Sequence, residues 1–133
     1  MGEGEMGILE ERKRVRKAAI ESAAEAVCMM ERILGPVSAA IIGSYARGDF
    51  NEWSDVDLLV ISPKFARNPL KRFDQLIDVL REYPDLEIIP LTPQDFLNQK
   101  KLRTPMATEA IRKGIIIKDQ LKVLLKDPEL SDG

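Results

Sequence analysis

Gly43-Ser44-Tyr45-Ala46-Arg47-Gly48-Asp49-Phe50-Asn51-Glu52-Trp53-Ser54-Asp55-Val56-Asp57 is the stretch whose reading decides the fold. It begins where an apolar run, Val37 to Ile42, stops, and it ends by opening a second apolar run, Leu58-Leu59-Val60-Ile61. Two short β-branched and leucine-rich runs joined by a small polar loop predict two buried strands of one sheet. Residues two apart in a strand share a face, so Asp55 and Asp57 aim at one spot. Paired carboxylates suit a hard divalent cation shared with substrate phosphates.

Each element of this stretch also has a plainer reading. Gly43-Ser44 lets backbone approach an anion, with amides and the Ser44 hydroxyl as donors, or it is an ordinary turn with a serine cap. Ser54-Asp55 can form a turn in which Asp55 is a cap. Asp57 resists that treatment, because it runs directly into Leu-Leu-Val-Ile, where a charge is costly unless paired or coordinated. Arg47 follows Ser44 closely enough to face either a phosphate or Asp55.

Outward from the loop, residues 8–34 predict a long helix with Val15, Ala19, Ala23, Ala26, Met30 and Ile33 in one stripe, stopped by Gly35-Pro36. The strands are expected at 37–42 and 55–62. A second helix is expected at 69–83, with Leu70, Phe73, Leu76, Ile77 and Leu80 on one side. Leu86-Glu-Ile-Ile-Pro-Leu91 reads as a third strand, and Pro90 puts it at an edge. Thr92-Pro93-Gln94-Asp95 starts a short helix. Another helix at 105–113 ends at Gly114, Ile115–Ile117 adds a small strand, residues 119–126 form a last helix, and 127–133 are a loose tail. This order gives a single layered α/β (α+β) domain over residues 1–133, a mixed three-to-four-stranded sheet flanked by helices.

The chain has 133 residues, 44% apolar and 32% charged, with a formal net charge of −2. That is enough for one core, and no run approaches the roughly 20 apolar residues that span a bilayer. With one cysteine, Cys28, and no histidine, Ser-His-Asp and Cys-His nucleophiles, internal disulfides and His- or Cys-built zinc cages are excluded. Any catalysis rests on Asp, Glu, Lys or Tyr. A cytoplasmic protein is expected, with no membrane partner. The weakly acidic balance makes nucleic acid an unexpected partner. The run Arg12-Lys13-Arg14-Val15-Arg16-Lys17 is flanked by Glu10, Glu11, Glu21 and Glu25, so it reads first as a solvated, ion-paired helix face.

Gly43-Ser44-x-Ala-Arg47-Gly48 followed by Ser54-Asp55-x-Asp57-Leu-Leu-Val resembles the signature of the nucleotidyltransferases with the DNA polymerase β fold. The nearest likeness is to the minimal nucleotidyltransferases of archaea and bacteria. The resemblance covers most of residues 36–118. It implies that Gly43, Ser44 and Arg47 hold the phosphates of a nucleoside triphosphate, most simply ATP. It also implies that Asp55 and Asp57 bind Mg²⁺, or Mn²⁺ in its place. The family's third carboxylate, usually an aspartate, is Glu87 here, as ligand or base. Glu87 otherwise reads as an exposed charge on an edge strand. The implied reaction moves a nucleoside monophosphate, AMP for preference, to a hydroxyl acceptor and releases pyrophosphate. A chain this short lacks room for an acceptor-recognition domain. The expected partner is therefore a second copy or a small helical HEPN protein, as in toxin–antitoxin pairs. Met29, Met30, Ile33 and Leu34, with Leu121, Val123, Leu124 and Leu125, are the expected apolar docking surface. The rival reading is a non-catalytic nucleotide-binding or interaction subunit on the same fold.

Overall fold

The structure is a computed structural model that describes residues 2–51 and 53–125, with side chains from residue 7 onward. The expected tail at 127–133 lies outside the described residues. Four strands, β1 (Ser38–Ile42), β2 (Val56–Ile61), β3 (Leu86–Leu91) and β4 (Ile115–Asp119), form one sheet in the order β3-β2-β1-β4. β2 and β3 run parallel, and the other two pairings are antiparallel. A parallel pair needs a crossover, supplied by α3 (Pro69–Gln75) and α4 (Ile77–Glu82). β3 is an edge strand, as Pro90 requires, since proline gives no ladder donor.

The sheet is covered on both faces. Against one lies α1 (Gly2–Leu34), whose Ala23, Ala26, Val27 and Met30 meet Ala39, Ile41, Leu58 and Val60. Against the other lie α5 (Pro93–Lys101) and α6 (Pro105–Arg112), whose Phe96, Ala107, Ala110 and Ile111 meet Ala40, Ile42, Leu59 and Ile61. That double cover is why β1 and β2 lack polar alternation. Small alanines on α1 and α6 let the helices approach the β-branched face closely. Thr92 caps α5 with a full capping box, its hydroxyl accepting from Asp95 N–H while the Asp95 carboxylate accepts from Thr92 N–H. Such a cap stabilises by about 1 kcal/mol.

Three expectations need correction. The helix expected at 69–83 is broken at Leu76, and Leu70, Phe73 and Ile77 are exposed. Arg72 is buried in their place at 4% exposure. Its guanidinium donates to the carbonyls of Ala66 and Pro90 and pairs with Asp95 at 2.8 Å. A paired arginine with all three guanidinium nitrogens hydrogen-bonded can displace an apolar face. No helix follows β4 among the described residues: 120–125 are turns. The Asp119 carboxylate accepts from the amides of Val123 and Leu124 while also taking the Ser38 hydroxyl. A local carboxylate-to-amide turn has outcompeted the helix. Of the expected docking surface, Met30, Leu34 and Leu124 are core residues, while Ile33 and Leu125 are exposed. Of the described helices, none is long and apolar enough to cross a membrane.

Candidate active site

β1 ends at Ile42, and its neighbour across the ladder is Asp57. Asp57 in turn faces Glu87 on β3. Three adjacent strands therefore bring the Gly43 turn and two carboxylates into one row. The row is on the sheet face that α6 covers, since Leu59 and Ile61 share the parity of Asp57 and pack there.

Asp57 and Gly43 are in immediate contact. Gly43 has φ +73° and ψ −149°, a conformation open essentially to glycine alone. A Cβ on it would lie 2.2 Å from Asp57 Oδ2. The missing side chain makes room for the carboxylate. After the turn, α2 (Ser44–Arg47) is a single turn of helix, ended by Gly48 with φ +92°. Ser44 is half-buried at its start.

The electrostatics are one-sided. Burial raises the pKa of Asp57 above the ordinary carboxylate range, and Glu87, Asp55 and Glu109 raise it further. Glu87 acts by both charge and hydrogen bonding. Asp55 stands just before β2 and is exposed, so it joins Asp57 through charge from the loop and not from within the strand. Each of these influences opposes ionisation. Such a cluster is relieved by a proton or a cation. Among the described residues no three acids are already closed around a metal position. The donors are all carboxylate oxygens, which fit Mg²⁺ or Mn²⁺ and not a soft metal.

Arg47 does not pair with Asp55. Its guanidinium lies 3.3 Å from Asp49 and 3.2 Å from Glu109 Oε2. The other oxygen of Glu109 accepts from the Gly43 N–H. Sequence reading placed Glu109 on a helix but gave it no role. Its signal is weak: it is one acid beside the buried Ala107, Ala110 and Ile111, and only the packing of α6 on β1 aims it at the turn.

The aromatic residues divide. Tyr45 and Phe50 are buried and stacked, with centroids 4.4 Å apart, and Arg12 of α1 lies over Phe50. Arg12 also donates to the carbonyls of Gly48 and Phe50, so α1 grips the loop. The basic run is thus solvated at Arg14 and Lys17, which pair with Glu11 and Glu21, but docked at Arg12. Trp53 is 86% exposed. It borders a cleft of roughly 500 Å³ lined by Val15, Ala19, Ser22, Asp55 and Asp85, on the α1 side of the sheet.

Residues 20–118 match the model of the nucleotidyltransferase domain. The chain belongs to that family. Nucleotidyl transfer is its class of chemistry, and the matched span contains the whole acidic row and the Gly43 turn. A candidate protein adenylyltransferase of Methanocaldococcus jannaschii is 33% identical over 79 residues, 59% of this chain and 73% of that protein. A second one from the same organism is 43% identical over 47 residues, 35% of this chain and 32% of its own length. A candidate nucleotidyltransferase of Sulfolobus solfataricus, known from its crystal structure, superposes with a TM-score of 0.59 at 19% identity, covering 79% of this chain and 84% of that one. The last likeness supports the fold.

Proposed function

We propose that this chain is a Mg²⁺-dependent adenylyltransferase that moves AMP from ATP to a hydroxyl on a partner protein. One observation carries the proposal. The turn suited to phosphates and the carboxylate suited to a cation touch, with Asp57 Oδ2 filling the space that a Gly43 side chain would take. A nucleoside triphosphate brings both charges at once.

Asp55, Asp57 and Glu87 are the residues to hold the cation, which when bound neutralises phosphate charge and lowers the barrier to displacement. Gly43 N–H and the Ser44 hydroxyl orient the β- and γ-phosphates, and Arg47 adds a guanidinium. The acceptor oxygen bonds to the α-phosphorus as the bond to the bridging oxygen breaks, and pyrophosphate leaves. The acceptor proton passes to a carboxylate. Glu87, exposed and facing Asp57, is the reachable base. A protein acceptor is supported by the descriptions of the two archaeal relatives as candidate protein adenylyltransferases. A small helical partner or a second copy is the proposed bearer of the hydroxyl.

The exposed position of Glu87 on an edge strand favours a second reading, a nucleotide-binding subunit without turnover. Incubation with α-labelled ATP and Mg²⁺ in a lysate of the source organism separates the two. The proposal expects label on a discrete protein, lost with Asp57→Asn. Bound nucleotide with no labelled product from any acceptor supports the binding subunit.

A further inference from the structure

Glu109 is the one acid of the group that does not come from the sheet or its loop. It reaches the turn from α6, and its two oxygens engage two different donors. One takes the Gly43 N–H and the other lies 3.2 Å from Arg47 Nη1. These are a backbone amide and a guanidinium that a phosphate group would use in the same way, one oxygen to each. Arg47 is further restrained by Asp49 at 3.3 Å. The carboxylate also adds its charge to the repulsion already acting on Asp57. If it served only to brace the turn, it would do so at a place where a fourth negative charge is unwelcome.

We infer that Glu109 is a placeholder for the nucleotide's phosphates, occupying the Gly43 amide and Arg47 until an incoming polyphosphate displaces it. The inference rests on the phosphate role proposed for Gly43. In this arrangement the empty turn keeps its backbone donor satisfied, so the strained Gly43 conformation persists without ligand. Displacement leaves Arg47 held by Asp49 alone, with its Nη1 open to the phosphate. It also removes one repelling charge from Asp57 as a cation arrives. The Glu109 side chain is 23% exposed, so it has solvent to move into. Nucleotide affinity then contains the cost of breaking two charge-assisted contacts.

The test is calorimetric titration of Mg²⁺ with ATP, and separately with tripolyphosphate, into the full chain. Glu109→Gln keeps the shape but weakens the competitor, and is expected to tighten both by about tenfold, or ~1.4 kcal/mol. Glu109→Asp keeps the charge but shortens the reach, so it too should bind tighter; mere relief of charge would leave it like the parent. Glu82→Gln, an exposed acid on α4, controls for net charge and should change nothing. In the parent, the Gly43 amide resonance should shift on adding Mg²⁺ and ATP. Weaker or unchanged binding by Glu109→Gln, with the parent binding normally, makes Glu109 a structural brace and overturns the inference alone. If neither parent nor variant binds ATP or tripolyphosphate, the phosphate role of Gly43 falls and the placeholder falls with it.

Discussion

Gly43→Ala measures how tightly the turn and the carboxylate are fitted together. The φ of +73° and ψ of −149° place any L side chain in a region costing about 1–3 kcal/mol. The new Cβ would also meet Asp57 Oδ2 at 2.2 Å, against the 3.0 Å below which such contacts are essentially never found. The carboxylate must therefore retreat by roughly 0.8 Å or turn away, at about 0.5–1.5 kcal/mol for a distorted side-chain torsion. Together these put the loss of stability near 2–4 kcal/mol, or about 6–16 °C in Tm for a domain of this size. A displacement of that order at a reacting centre costs up to about 10²-fold in rate. Gly35→Ala is the matched control, because Gly35 has φ +79° but nothing within 4 Å of an added Cβ. It should lose about 1–2 kcal/mol from the left-handed backbone and leave nucleotide binding intact. Melting curves with and without Mg²⁺ and ATP read both effects. If Gly43→Ala keeps the parent's ligand-induced Tm shift while Gly35→Ala behaves alike, the contact with Asp57 has no bearing on ligand binding and the reasoning is wrong.

Further expectations follow from other contacts. Because the folded-state pKa of Asp57 is raised, its contribution to stability is full below the unfolded carboxylate value and is lost as pH rises through the folded one. Without metal, Asp57→Asn should therefore melt higher than the parent at neutral pH, with the gap closing in acid; a gap that grows in acid contradicts the sign. Arg72→Met should cost about 1–3 kcal/mol, since it leaves the part-buried carbonyls of Ala66 and Pro90 without a donor, and urea unfolding would show it; a loss under 1 kcal/mol would mean that water replaces the guanidinium. Glu87→Gln should lower transfer by about 10²- to 10⁴-fold while nucleotide binding changes far less, whereas Glu87→Asp should retain activity. Equal rates for the parent and Glu87→Gln would make that residue a surface charge.

The sheet was legible because its signals are local. Val37–Ile42 and Leu58–Ile61 are uninterrupted apolar runs, Pro90 marks an edge, and Thr92-Pro93 with Asp95 is a complete helix start. What escaped depends on distant partners. Nothing near Arg72 in sequence announces that carbonyls at 66 and 90 will line a hole for its guanidinium. Nor does the 119–126 stretch show that Ser38 of β1 will fix the Asp119 carboxylate where it takes the amides ahead of it. At the site, parity joined only Asp55 to Asp57, and Gly43 and Glu87 could be placed beside them from the family resemblance. Glu109 could not, because its place at the turn depends on which sheet face α6 covers. Asp55 does not meet Arg47; of the acids that do, Asp49 is two residues away in sequence, while Glu109 is near only in space.

The central claim is that the acidic row and the Gly43 turn hold one cation and one polyphosphate together. Electron paramagnetic titration of Mn²⁺ in the presence of a non-hydrolysable ATP analogue tests it most directly. The account predicts Mn²⁺ bound only when the analogue is present at matching concentration, paramagnetic broadening centred on residues 42–44 and 55–58, and loss of both in Asp57→Asn. Equal Mn²⁺ and analogue binding by Asp57→Asn, or broadening centred away from the ends of β1 and β2, would contradict it.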